Sequence, residues 1–111
     1  MPDVQFPRRI SRPKVRSAGS CPPHRAWVRK HQCSVPGCER LPIEAAHVRA
    51  GSHAGLSRKP SDQWVISLCV FHHREQHESG ERTFERKYSI DLADLAREFA
   101  RRSPHRLKLT R

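Results

Sequence analysis

The chain has 111 residues, 22 Lys and Arg against 11 Asp and Glu, a formal net charge of +11, and only 35% hydrophobic residues. That is one domain's worth of chain with a small core, the size class in which a metal or disulfides often supply missing stability. The charge argues against an acidic scaffold or an enzyme for neutral metabolites. It argues for a polyanionic partner, most simply nucleic acid, with an anionic membrane surface as the weaker alternative. No apolar run approaches the roughly 18 residues of a membrane span, and no apolar segment follows the basic N-terminus as in a secretory signal. The expectation is a cytoplasmic protein with no membrane partner, whose four cysteines serve metal rather than disulfides.

Residues 1–20 read as a flexible basic arm, broken by Pro2, Pro7 and Pro13, with five basic residues against Asp3. Residues 21–102 read as the folded domain. Pro22 and Pro23 open a short helix, His24 to His31. The stretch Cys33-Ser-Val-Pro-Gly-Cys38 contains a Pro-Gly turn that brings two sulfurs together. Ile43 to Val48 is a strand, 49–63 a polar loop, and Trp64 to Leu68 a second strand of β-branched and apolar residues, together suggesting an antiparallel hairpin. A helix follows from Val70 to Glu78, stopped by Ser79-Gly80. A brief helix spans Thr83 to Tyr88. The best-patterned helix runs from Asp91, a good N-cap, to Arg102, with Leu92, Leu95, Ala96 and Phe99 on one face. Residues 103–111 read as a second basic tail. Trp27 and Trp64 read as core packing rather than base stacking, and Glu75 and Glu78 as an exposed helix face.

The chemistry concentrates in Cys and His. Cys33 and Cys38, with four residues between, and Cys69 and His72, with two between, are two local pairs at metal-ligand spacing. Structural zinc takes four such ligands, and each local pair keeps the loop entropy of closing the site small. Cys21 is the spare: it could replace His72, but a packed or free thiol is the better reading. His73 and His77, four apart, share one face of the predicted helix and can hold one side of a second divalent ion. His47 lies in the first strand, which the hairpin brings over that helix.

These residues resemble a family. Cys-x4-Cys, Ile43-Glu-Ala-Ala-His-Val48, a polar loop with Lys59-Pro60-Ser61-Asp62, and Ile66-Ser-Leu-Cys69-x2-His-His-x3-His77 look like the HNH, or ββα-metal, endonucleases, and among them the compact phage and prophage nucleases. The likeness covers roughly residues 33–90. It implies an α+β fold: a small ββα-metal core with zinc-stapled loops, here with an extra C-terminal helix and basic termini. It implies a metal-dependent endonuclease hydrolysing DNA phosphodiester bonds. His47 matches the general base, His73 and His77 the ligands of the catalytic divalent ion (Mg2+, Mn2+, Ni2+ or Zn2+), and Cys33, Cys38, Cys69 and His72 the structural Zn2+ site.

The sequence departs from the family pattern twice. The residue before the strand histidine often ligates the metal, and here it is Ala46; water, phosphate or Asp62 would complete the sphere. The chain contains no Asn, so Asp62, Gln63 or Lys59 would orient the loop, and Lys59 could contact phosphate. Two other readings compete with the enzyme. One is a non-catalytic zinc-stabilised nucleic-acid-binding module of a phage or prophage. The other is an adaptor that uses the Asp91–Arg102 helix to bind recombination or packaging proteins.

Overall fold

The computed structural model describes residues 19–51 and 60–109. The expected arm over 1–18, the hairpin-loop segment 52–59 with Lys59, and residues 110–111 lie outside the described residues.

Helix α1 (Pro22–Val28) starts on two prolines, at positions where the missing N–H would be unpaired in any case. The Cys21 carbonyl accepts the amides of His24 and Arg25 at 3.0 and 3.2 Å. His24 and Val28, four apart, are buried and set the inward face. The helix stops three residues short of the expected His31. The Lys30 and His31 amides turn back to the Trp27 and Val28 carbonyls. That turn lets the His31 ring pack edge-on against Trp27 and Phe99, at 4.5 and 5.2 Å between centroids.

Strands β1 (Ile43–His47) and β2 (Val65–Cys69) form the expected antiparallel pair, Ile43 opposite Cys69 and His47 opposite Val65. Trp64 belongs not to β2 but to a 3-10 turn, Asp62–Trp64, that leads into it. Every residue of β2 is buried. Ile66 and Leu68 enter the core with Val48, Phe84, Leu92 and Ala96. The Ser34 amide donates to the Ser67 carbonyl (2.8 Å), and the Ser67 hydroxyl donates to the Gln32 carbonyl (2.7 Å). The 32–34 stretch therefore lies along the edge of β2 that β1 leaves open, a common way of protecting a short sheet.

Helix α2 (Val70–Ser79) begins at the last residue of β2. Gly80, at φ +88°, ends α2 and starts α3 (Glu81–Tyr88), a backbone conformation that favours glycine. Glu75, expected on an exposed face, instead ties α2 to α3 by accepting from Lys87 Nζ (2.6 Å) and the Tyr88 hydroxyl (2.5 Å); Glu78 is exposed. In α4 (Leu92–Arg102) the Asp91 side chain accepts from the Asp94 amide at 2.9 Å, the expected cap. Leu92 and Ala96 are fully buried, and Leu95 and Phe99 pack against the same core. Trp27 lies edge-on to Phe99 and Trp64 packs against the core, so both tryptophans serve packing. Among the described residues no helix is long and apolar enough to cross a membrane.

The expected C-terminal tail carries structure at its start. Ser103 is fully buried, its hydroxyl 2.9 Å from His24 Nδ1 and accepting the His105 amide at 3.0 Å, and a short helix α5 (Arg106–Leu109) follows. This contact docks the end of α4 onto α1.

His24 makes the docking pH-sensitive. Its Nε2 is buried without a partner. Burial pushes its pKa down to about 4, against a smaller upward pull from Asp62. The unfolded ring titrates near 6.5, so the unfolded chain takes up the proton first. The neutral ring's contribution is complete above pH 6.5 and is lost as pH falls towards 4, about 3 kcal/mol in all. His24→Leu should lose unfolding free energy less steeply than wild type between those pH values. Equal slopes by denaturant titration would remove His24 from this role.

Candidate metal centre and adjacent cleft

Two backbone devices assemble the Cys/His cluster. The first is the 33–38 knuckle, closed by the Cys38 amide on the Val35 carbonyl (3.0 Å), with Gly37 at φ +81°. The second is the β2–α2 junction. Cys69 ends the strand and caps the helix, its sulfur accepting from the His72 amide at 3.4 Å. His72, in the first turn, then comes onto the same side as the sulfur. Its ring is flanked edge-on by Tyr88 and Phe84 of α3, at 5.1 and 6.3 Å between centroids.

The result is a four-ligand group. Sγ of Cys33, Cys38 and Cys69 and a ring nitrogen of His72 all lie within 4.8 Å of one another. Cys33 and Cys69 sulfurs are 3.4 and 3.3 Å from His72 Nδ1, and the Cys38 and Cys69 sulfurs are 3.9 Å apart. A tetrahedral zinc with Zn–S of about 2.3 Å and Zn–N of about 2.0 Å requires ligand separations of about 3.8 Å between sulfurs and about 3.5 Å from sulfur to nitrogen. These three separations are already close to the edges of such a tetrahedron. The four cysteines are free thiols, so no disulfide competes for the sulfurs.

The electrostatics fit a cation. Burial pushes the Cys33 thiol up to about 11, against smaller downward pulls from backbone hydrogen bonds at Cys69 and Val35. At Cys38 burial acts in the same upward sense but is outweighed by hydrogen bonds from the Arg40 backbone, Cys33 and Cys69 and by the Arg40 charge, so its pKa is lowered. His72 is held below its ordinary value, chiefly by burial, and stays neutral as a ligand must. Three sulfurs this close repel as thiolates unless a metal neutralises them. Cys21 is not in the group. It is buried elsewhere, and its amide donates to Asp62 at 2.6 Å.

A second constellation centres on Asp62, where the 3-10 turn meets β1 and α1. Asp62 is almost fully buried (4% exposed). One carboxylate oxygen receives His47 Nε2 at 2.8 Å; the other receives the Cys21 amide and the Arg25 guanidinium. Burial pushes its carboxyl up, but the hydrogen bonds from His47 and Cys21 and the Arg25 charge together outweigh burial and hold it below the usual range. Asp62 therefore orients His47 from behind, with both oxygens engaged; it is not placed to meet phosphate or complete a metal sphere. Because an ionised carboxylate only accepts, Nε2 of His47 carries the proton, and the neutral ring keeps its lone pair on Nδ1.

His47 and His77 line one open cleft of about 400 Å³ with Arg49, Gln76, Gly80 and Glu81. Buried Gln76 donates to the His47 carbonyl (3.1 Å) and to Glu81 (3.2 Å), while Glu81 accepts the Arg49 and Ala50 amides at 2.8 and 2.9 Å. Gln76 and Glu81 carried no signal in the sequence beyond being polar residues near a helix end. The His73 and His77 rings are 5.0 Å apart between centroids, and His73 Nδ1 lies 2.6 Å from Glu44 on β1. Ala46 is fully buried in the core. Among the described residues the Cys/His tetrad is the one group of three or more ligands gathered within 4.8 Å; His47, His73 and His77 do not form such a group.

A family model described as "Protein of unknown function (DUF968)" matches residues 5–103, and the chain belongs to that family. Comparison with curated proteins and with solved structures gives no match.

The tetrad predicts one tightly held zinc per chain. Cys33→Ser and Cys69→Ser should lose it, read by elemental analysis. Each should also lower the melting temperature by more than about 10 °C, the shift that about 2 kcal/mol produces in a domain of this size. Cys21→Ser should keep its zinc. Zinc retained in the first two variants, or lost in the third, would assign different ligands.

Proposed function

We propose that this DUF968 chain is a metal-dependent HNH-type endonuclease that hydrolyses DNA phosphodiester bonds. The observation that carries the reading is the cleft between β1 and α2. It is lined by a strand histidine braced by a buried carboxylate and by a helix histidine whose ring neighbour is a second one, four residues earlier.

His47 acts as the general base. Asp62 fixes its tautomer and ring, so Nδ1 is the atom that takes a proton from water, and Asp62 stabilises the imidazolium that results. Gln76 holds the His47 backbone against α2. His73 and His77 would hold a divalent ion; two imidazoles suit Mn2+, Ni2+ or Zn2+ better than Mg2+. When bound, the ion supplies Lewis-acid stabilisation of charge growing on the phosphate and the departing 3′-oxygen. The Cys/His zinc is structural: it fixes the strand–helix junction from which His73 and His77 project.

The charge distribution agrees with a DNA substrate. Residues 1–20 and 101–111 each hold five basic residues, with one acid between them, while 21–100 is nearly balanced. Basic segments of that kind contact phosphate rather than bases, so binding should be salt-sensitive and weakly sequence-selective.

His47→Ala should lower metal-dependent nicking of supercoiled DNA by about 10²- to 10⁴-fold while the chain still folds, with zinc content and DNA binding at wild-type values. Full nicking by the variant would reject His47 as the base. DNA binding by wild type without cutting under Mg2+, Mn2+ or Ni2+ would make the chain a zinc-stabilised binding module instead.

A further inference from the structure

We propose that Glu44 is the strand's contribution to the second metal site: it holds His73 through Nδ1, so that His73 binds the ion through Nε2. This rests on the reading of His73 and His77 as metal ligands.

Position 46 has nothing to offer a metal. Its side chain is a methyl group sealed in the core. The strand nevertheless reaches α2 through Glu44, whose Oε1 lies 2.6 Å from His73 Nδ1 across 29 residues of sequence. A carboxylate only accepts, so Nδ1 must donate. In the neutral ring the lone pair is then on Nε2, and the ring is held in one orientation. Metal-bound histidines are commonly braced in this way by a carboxylate on the far nitrogen, which raises their basicity and fixes the tautomer. An ordinary surface ion pair is the competing explanation. Against it stands the repetition of the same arrangement on the one strand–helix pair: Asp62 braces His47 from the hairpin, and Glu44 braces His73 from β1. The second ring, His77, lies one turn further along α2, 5.0 Å from His73. Glu44 is thus a positioning residue, acting through His73.

The test uses the full chain with its structural zinc in place. Mn2+ or Ni2+ is titrated calorimetrically into wild type, Glu44→Ala and Glu44→Gln, and the His73 ring nitrogens are read by ¹⁵N NMR without added metal. Wild type should bind one further ion and show His73 as the Nδ1–H tautomer. Glu44→Ala should weaken that ion by about 10- to 100-fold and release His73 to a tautomer mixture. Glu44→Gln, which keeps an acceptor, should recover part of both. Zinc content and melting temperature should not move. A second ion bound equally by wild type and Glu44→Ala would overturn the proposal while leaving His73 and His77 as ligands. No second ion in wild type would overturn the metal reading itself, and the proposal with it.

Discussion

Sγ of Cys33, Cys38 and Cys69 and a ring nitrogen of His72, all within 4.8 Å of one another, form a group that could hold a metal ion such as zinc. A bound ion would favour the thiolate at Cys33, where burial alone favours the protonated thiol. It would cross-link the 33–38 knuckle to the β2–α2 junction. Cys69 is where the consequences meet: it ends β2, opens α2, and ligates. Because it caps α2, the direction of that helix is set at the ligand cluster. Because it pairs with Ile43, the register of β1 is set there too. The meeting of Glu44 with His73, and of His47 with His77 at one cleft, follows from these two facts.

A second buried charge completes the frame. An isolated carboxylate as buried as Asp62 would be strongly unfavourable, so its three donors are what allow it to stay ionised. Those donors come from α1, from the residue that precedes it, and from β1. The Cys/His cluster therefore lies at the start of the helix side of the cleft, and Asp62 anchors the strand side. Ser103 against His24 adds a closing contact between the two ends of the described fold. The apolar core is small, and much of the specificity of the arrangement comes from these polar nodes.

The parts legible in the sequence were those with local signals. The ligand pairs stood out because Cys-x4-Cys and Cys-x2-His are compact spacings. The start of α4 was visible in Asp91, and that of α1 in Pro22-Pro23. Boundaries moved where a turn competed with a helix or strand: His31 left α1 to pack on Phe99, and Trp64 left β2 for the turn before it. The bracing of the histidines was not legible. Asp62 meets partners 15, 37 and 41 residues away, and Glu44 meets His73 across 29. Such pairs leave no periodicity, because they are created by the hairpin register and by α2 starting at Cys69. Ala46 read as a missing ligand; in the fold it is a core residue, and the strand reaches the helix from position 44 instead.

Whether a Cys3His zinc organises the fold is read most directly by zinc K-edge X-ray absorption of the purified chain. One zinc is expected, with about three sulfur neighbours near 2.3 Å and one nitrogen near 2.0 Å, the distances a tetrahedral site of this composition requires. A shell dominated by nitrogen and oxygen, or a chain that folds with the same stability and no zinc, would contradict it.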